Sequence, residues 1–248
     1  MLRDLLLPLI PYFSPLNIFR YLTFRASYAA VTALLIVYLF GPSVIRRLRQ
    51  LKFGQSVRTD GPQSHLTKSG TPTMGGVLIV GSVAISVVLW EDIHNPFTWI
   101  LLFALLAFCA IGGTDDYLKI KRHNSDGLSA AQKFSAQILV SLVVVLALYF
   151  VGGPNFTRLY LPFVKNHVLD LGVFWIPFGV IYVTAWSNAV NITDGLDGLA
   201  AGLVIVAIIA FSVLTYVSGR ADWAKYLAIP YIAGAGELTV FTLSILGA

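Results

Sequence analysis

Asn188, Asn191, Asp194 and Asp197 recur every third position in the stretch NAVNITDGLDGLA. On a continuous helix, positions i and i+3 are surface neighbours, so the run predicts one polar stripe. Gly195 and Gly198 argue against an uninterrupted helix. Helix capping accounts for part of the pattern. Asp194 is a suitable N-cap for a following helix, and Asp197 then falls in its first turn, where negative charge is favoured. Capping does not account for Asn188 and Asn191, or for the lack of a basic residue here. A second candidate is the adjacent pair Asp115–Asp116 in GGTDDYLK. Two carboxylates at a helix C-terminus repel each other and sit at the negative end of the dipole. One reading is a solvated helix end softened by Lys119 and Lys121. The other is a divalent-cation and phosphate site, since Mg2+ is held by one or two carboxylates with substrate phosphates and water. A bound cation would also cancel the repulsion. A third candidate is SHLTKSGTPTMGG, residues 64–76. Pro72 reads as ordinary helix-start chemistry, and Gly75 and Gly76 as close helix packing. Lys68 and His65, in the stretch that also holds Thr73, remain as free donors for an anion at a positive helix end.

The elements that must position these residues are membrane spans. The chain has 248 residues, 57% of them hydrophobic and only 12% charged, with a mean hydropathy of +0.78. Soluble domains carry roughly 25% charged residues. A net charge of +5 then reflects loop charges that set orientation rather than binding to nucleic acid. Cys109 stands alone in an apolar run, so no disulfide framework exists. A span needs about 20 mostly apolar residues. Runs free of Asp, Glu, Lys and Arg predict six spans at 26–45, 71–90, 93–114, 134–156, 171–193 and 198–219. A seventh starts near Tyr231 and is still apolar at Ala248, which reads as part of a longer protein. The fold class is therefore all-α, a polytopic transmembrane helical bundle forming a single domain over 1–248. The connection after the first span carries Arg46, Arg47, Arg49, Lys52, Arg58 and Lys68, and that after the third carries Lys119, Lys121, Arg122 and Lys133. By the positive-inside rule both are cytoplasmic and the N-terminus is outside. Alternation of the spans brings all three polar candidates to that same cytoplasmic face.

These three motifs together resemble the phospho-N-acetylmuramoyl-pentapeptide-transferase (translocase I) family, of the polyprenyl-phosphate N-acetylhexosamine-1-phosphate transferase superfamily. The Asp115–Asp116 pair and NAVNITDGLDGLA carry the superfamily pattern, and KSGTPTMGG narrows it to the muramoyl-pentapeptide branch. The resemblance runs from about Phe19 to the end of the chain. It implies a ten-helix bacterial inner-membrane enzyme, of which about seven spans are present here. It also implies transfer of phospho-N-acetylmuramoyl-pentapeptide from UDP to undecaprenyl phosphate, giving lipid I and UMP with Mg2+ as cofactor. This is the first membrane step of peptidoglycan synthesis. By the same resemblance, Asp115 is the candidate base and Asp116 its neighbour at Mg2+ or phosphate. Asn188, Asn191, Asp194 and Asp197 line the nucleotide-sugar side, and Lys68 and Thr73 bind the nucleotide or its diphosphate. A homodimer is among the assemblies the resemblance allows. The family's third essential Asp and its His-rich motif have no counterpart in these residues, so the chain alone is expected to be inactive or nearly so.

Other classes fit less well. A transporter also uses broken helices and intramembrane carboxylates, but places them near the bilayer midplane. A sibling transferase that uses UDP-N-acetylglucosamine, and a non-catalytic membrane remnant, remain as alternatives. Donor competition separates the first from the reading above, and UDP-sugar and Mg2+ binding separates the second.

Overall fold

A computed structural model describes residues 1–50, 74–122, 127–153, 156–161, 168–194 and 198–248. Nine α-helices occur among them: α1 (Leu2–Leu6), α2 (Leu22–Gln50), α3 (Gly76–Trp90), α4 (Pro96–Arg122), α5 (Ala130–Val151), α6 (Trp175–Thr193), α7 (Leu199–Ser218), α8 (Ala221–Leu227) and α9 (Leu238–Gly247). The only strands among the described residues are a short antiparallel pair between α5 and α6, β1 (Arg158–Tyr160) and β2 (Val168–Asp170), with Leu159 opposite Leu169. Five helical segments are long and apolar enough to cross a membrane, at Leu22–Gln50, Pro96–Arg122, Ala130–Val151, Gly172–Thr193 and Leu199–Ser218. Gly76–Trp90 and Ala235–Gly247 are shorter apolar helices. The seven apolar runs of the sequence are thus seven helical segments, and the protein is a multi-pass membrane protein.

Burial is distributed as a lipid-solvated bundle requires. Phe150 is 79% exposed and Ile192 80%, whereas Ser82, Ser86, Ser141 and Ser244 are fully buried. Without water there is no hydrophobic drive between helices, so small residues and hydroxyls that allow close approach line the contacts. Ala26, Ala29 and Ala33 form such a stripe on α2, and the first two pack on Val240 of α9. Gly247 lies so close to the Ala30 carbonyl that a Cβ could not fit. Val83 and Val87 of α3 meet Leu102 of α4 and Phe241 of α9. Phe97 and Ile100 of α4 meet Val140 and Val144 of α5.

One end of this bundle is held by charge pairs. Arg25, buried near the start of α2, donates two hydrogen bonds to Glu237 at 2.6 Å and a third to the Trp90 carbonyl at 3.2 Å. Arg3 pairs with Asp92, and the Asp92 N–H donates to Glu237 at 3.2 Å. Beside them the Glu91 side chain is fully buried and accepts from the Thr98 hydroxyl at 2.8 Å. Burial pushes its carboxyl up to about 8; the Thr98 bond opposes that rise and the negative charge of Glu237 adds to it. The seventh apolar segment begins later than its sequence implies. Glu237 ends a 3-10 turn over Ala235–Glu237, and α9 starts after it.

Candidate functional site

The opposite end holds those of the residues singled out for chemistry that the structure describes. The charge-free run ends at 114, yet α4 continues to Arg122. Two features carry it past the carboxylates. Lys119 Nζ donates to Asp115 Oδ2 at 2.6 Å one turn away, and Lys119, Lys121 and Arg122 oppose the negative helix end. At 1.5 Å per residue, Asp115 lies about 29 Å from the start of α4, close to the depth of a hydrocarbon core. Asp194 closes α6 at the same distance, about 29 Å from its start.

Although adjacent, the two aspartates have different surroundings. Asp115 is buried, and each carboxylate oxygen has a partner: Lys119 on Oδ2, and the Leu128 N–H on Oδ1 at 2.8 Å. The turn before α5 wraps this carboxylate closely. A Cβ on Gly127 would collide with it, and Arg122 donates to the Gly127 carbonyl at 3.3 Å. Asp116 is half-buried and its nearest cation among the described residues is Lys119, at 3.9 Å. Its lone pairs are therefore the available ones. Lys133, in the first turn of α5, adds a second positive charge that acts on both carboxylates.

Helix α5 connects this pair to α6. It starts at a capping box: Ser129 Oγ accepts from the Gln132 N–H, and Gln132 Oε1 accepts from the Ser129 N–H. Such a box satisfies two otherwise orphaned donors and fixes the helix start. Lys133, Gln137 and Ser141 then fall on one face at four-residue spacing. Gln137 is buried and accepts from Asn188 Nδ2 at 2.8 Å, while donating to Ser187 Oγ at 3.3 Å. One turn further, Ser141 and Thr184 share a hydrogen bond of 3.1 Å. Pairing of 137 with 188 and of 141 with 184 fixes α5 and α6 as antiparallel. The ends bearing Asp115, Lys133 and Asp194 therefore lie together.

Asn188, Asn191 and Asp194 of the stripe do not share one face. At 100° per residue, each step of three rotates by about 60° away from the last. Asn188 faces α5, whereas Asn191 is exposed and Asp194 ends α6 as its exposed C-cap. Among the described residues neither Asn191 nor Asp194 receives a side-chain hydrogen bond. Asp194 does not cap α7 either. That place belongs to Gly198, whose φ of 80° is a left-handed conformation that glycine adopts without strain. Lys68, Thr73 and Asp197 lie outside the described residues, as does His65. Gln137, Thr184 and Ser187 are functional candidates that the motif reading passed over. The available signal was Gln137 and Ser141, two polar residues four apart inside an otherwise apolar run.

Asp115 and Asp116 suit a divalent cation, with Asp116 the less committed of the two. At the other end Asp4, Asp92 and His94 also bring ligand-type atoms within 4.8 Å of one another. There Asp92 is already engaged by Arg3, and Asp4 by the N-terminal amine at 3.7 Å.

Comparison with known proteins identifies the family. Residues 98–243 match glycosyl transferase family 4, and residues 68–80 match phospho-N-acetylmuramoyl-pentapeptide-transferase signature 1. Phospho-N-acetylmuramoyl-pentapeptide-transferases from Thermodesulfovibrio yellowstonii and Dichelobacter nodosus are each 47% identical over 249 aligned positions. That from Citrifermentans bemidjiense is 45% identical over 248. Each alignment covers 100% of this chain and 69% of the relative. With the signature over Lys68 and the family match running through Asp115, Asn188 and Asp194, the chain belongs to the phospho-N-acetylmuramoyl-pentapeptide-transferase family within glycosyl transferase family 4.

Proposed function

We propose that this protein transfers phospho-N-acetylmuramoyl-pentapeptide from its UDP carrier to undecaprenyl phosphate, yielding lipid I and UMP. The setting is the bacterial inner membrane, with the N-terminus outside and the site on the cytoplasmic face. The arrangement that carries this reading is the α4–α5–α6 end. There a buried, doubly held Asp115 and a freer Asp116 lie beside Lys119 and Lys133, and the helix that begins next to them bonds Asn188 through Gln137.

In the reaction, an oxygen of the lipid phosphate forms a bond to the sugar-linked phosphorus, and the bond from that phosphorus to the UMP oxygen breaks. Phosphoryl transfer depends on positioning and charge stabilisation more than on covalent chemistry by the protein. Asp115 is the base that keeps the acceptor phosphate ionised. Its low exposure and two fixed hydrogen bonds hold it in one orientation. Asp116, with Asp115 beside it, would hold Mg2+, which when bound neutralises diphosphate charge. Lys68 and Thr73 bind the diphosphate of the nucleotide, and Asn188, Asn191, Asp194 and Asp197 line the nucleotide-sugar side. Direct attack and a two-step route through an aspartyl-phosphate are both compatible with these residues.

The test uses purified protein in detergent or nanodiscs. Binding of UDP-N-acetylmuramoyl-pentapeptide is measured with and without Mg2+, alongside UMP release in the presence of undecaprenyl phosphate. Mg2+-dependent donor binding that Asp116→Asn weakens is the expected result. Tighter binding of UDP-N-acetylglucosamine, or an Asp116→Asn protein indistinguishable from the parent, would overturn the assignment.

A further inference from the structure

We infer that Gln137 is a positioning residue that fixes Asn188 as a pure hydrogen-bond acceptor toward the nucleotide-sugar, so that Asn188 meets a donor group rather than a phosphate oxygen. The inference rests on the transferase reading above and assigns the chemistry of one of its contacts.

The argument begins at the Thr184 carbonyl. A backbone carbonyl only accepts, and Asn188 lies 2.9 Å from it. The end of the Asn188 amide that faces it must therefore be the NH2 group. That group has two hydrogens, and the second is 2.8 Å from Gln137 Oε1. Gln137 is held in the complementary sense, since its own NH2 donates to Ser187 Oγ at 3.3 Å. Gln137 is 3% exposed, so water does not compete for these bonds. Both Asn188 donors are thus consumed between α5 and α6. What remains is Oδ1, to which no donor reaches among the described residues.

An oxygen so presented repels phosphate oxygens and attracts N–H or O–H groups. On a UDP-linked amino sugar those are the ribose or sugar hydroxyls, the acetamido N–H, and the uracil imide N–H. Basic residues, not Asn188, are left to meet the diphosphate. Without Gln137 one N–H of the Asn188 amide is freed, so the group presents a donor as well as Oδ1, which weakens the discrimination.

The experiment compares donor affinity, acceptor affinity and thermal midpoint for three substitutions in the full chain. Gln137→Met keeps volume and removes the acceptor. It is expected to weaken UDP-N-acetylmuramoyl-pentapeptide binding about tenfold, the scale of one lost hydrogen bond in a dry site, and to leave the affinity for undecaprenyl phosphate unchanged. In an Asn188→Ala background the same change is expected to have no further effect. Gln137→Glu is the control for folding. In either protonation state a carboxyl oxygen at this position accepts from Asn188, so affinity is expected to stay within about twofold. Equal weakening of donor and acceptor, or additive losses in the double variant, would overturn the positioning role while leaving the transferase reading intact. Failure of the unsubstituted chain to bind the donor at all would overturn both.

Discussion

Glu91 is expected to make the protein's stability fall with rising pH, against the usual behaviour of carboxylates. Its side chain is fully buried at the junction of α3 and α4, with one hydrogen bond, from Thr98, and an Oε2 that has no partner among the described residues. Its folded-state value of about 8 stands above the ordinary 4.5. Between those values the folded protein holds a proton that the unfolded chain releases, so folding stability declines as pH climbs and is flat above the window. The slope is about 1.4 kcal/mol per pH unit, and the full effect is at most about 5 kcal/mol. Other groups face Glu91: Arg25 opposes the rise, and Glu237 and Asp92 add to it. The N-terminal amine, which donates to the Glu91 carbonyl, titrates low because of its burial and so contributes the opposite slope. The informative quantity is therefore the difference between the parent and Glu91→Gln, in which the amide keeps the Thr98 bond and cannot ionise. Thermal midpoints in detergent from pH 5 to 9 are expected to fall for the parent and to fall much less for Glu91→Gln, with the curves diverging above pH 5. Parallel curves for the two proteins would refute the reasoning, because they would show that Glu91 ionises without cost in the fold.

Three further outcomes follow from the geometry. Arg25→Met leaves the partly buried Glu237 without its partner and is expected to cost about 3 kcal/mol by thermal or denaturant unfolding; Arg25→Met with Glu237→Leu is expected to recover most of that loss. Gly127→Ala puts a methyl group against the Asp115 carboxylate, so donor binding and UMP release are expected to drop at least tenfold, measured by calorimetry and nucleotide assay, while the midpoint moves by only a few degrees. Ser129→Ala removes the α5 capping box and is expected to cost about 1 kcal/mol, read as a lower unfolding midpoint.

The helices were legible in the sequence because a membrane demands long apolar runs, and seven of them are present. Their ends were less legible. A hydropathy rule halts the third span at the first carboxylate, but α4 runs two turns further because Lys119 neutralises Asp115 from the next turn. Asp194 has the composition of an N-cap, yet the following helix starts at Gly198, where the backbone turns left-handed. Contacts between distant segments were not legible at all. Arg25 and Glu237 stand 212 residues apart, and nothing in either neighbourhood announces the pair. At the site, Asp115 and Asp116 are indistinguishable as letters. They become different only when the turn at Gly127 and Leu128 closes over one of them. Gln137 was passed over because one amide in an apolar run reads as a packing residue until its partner on α6 is known.

The two polar ends of the bundle also show how structural and functional polarity differ in a membrane protein. At one end the charges cancel internally: Arg25 with Glu237, Arg3 with Asp92, the N-terminal amine with Asp4, while Glu91 remains protonated through the neutral range. An assembly that neutralises itself has little to offer a ligand, and its cost of burial is recovered through bonds between α2, α3 and α9. At the other end Lys119 is spent on Asp115, and Asp116 has only a distant share of it. Asp194 is exposed at the close of α6, and Asn188 has given both of its donors to the bundle. That end retains individual acceptors, on Asp116, Asp194 and Asn188, to which no described side chain donates a hydrogen bond. Polar groups left this way at a membrane surface suit a ligand that is cationic or rich in donors. Mg2+ and the hydroxyls and N–H groups of a nucleotide-sugar are of that kind, which is why the α4–α5–α6 end, and not the equally polar opposite end, is the one assigned to chemistry.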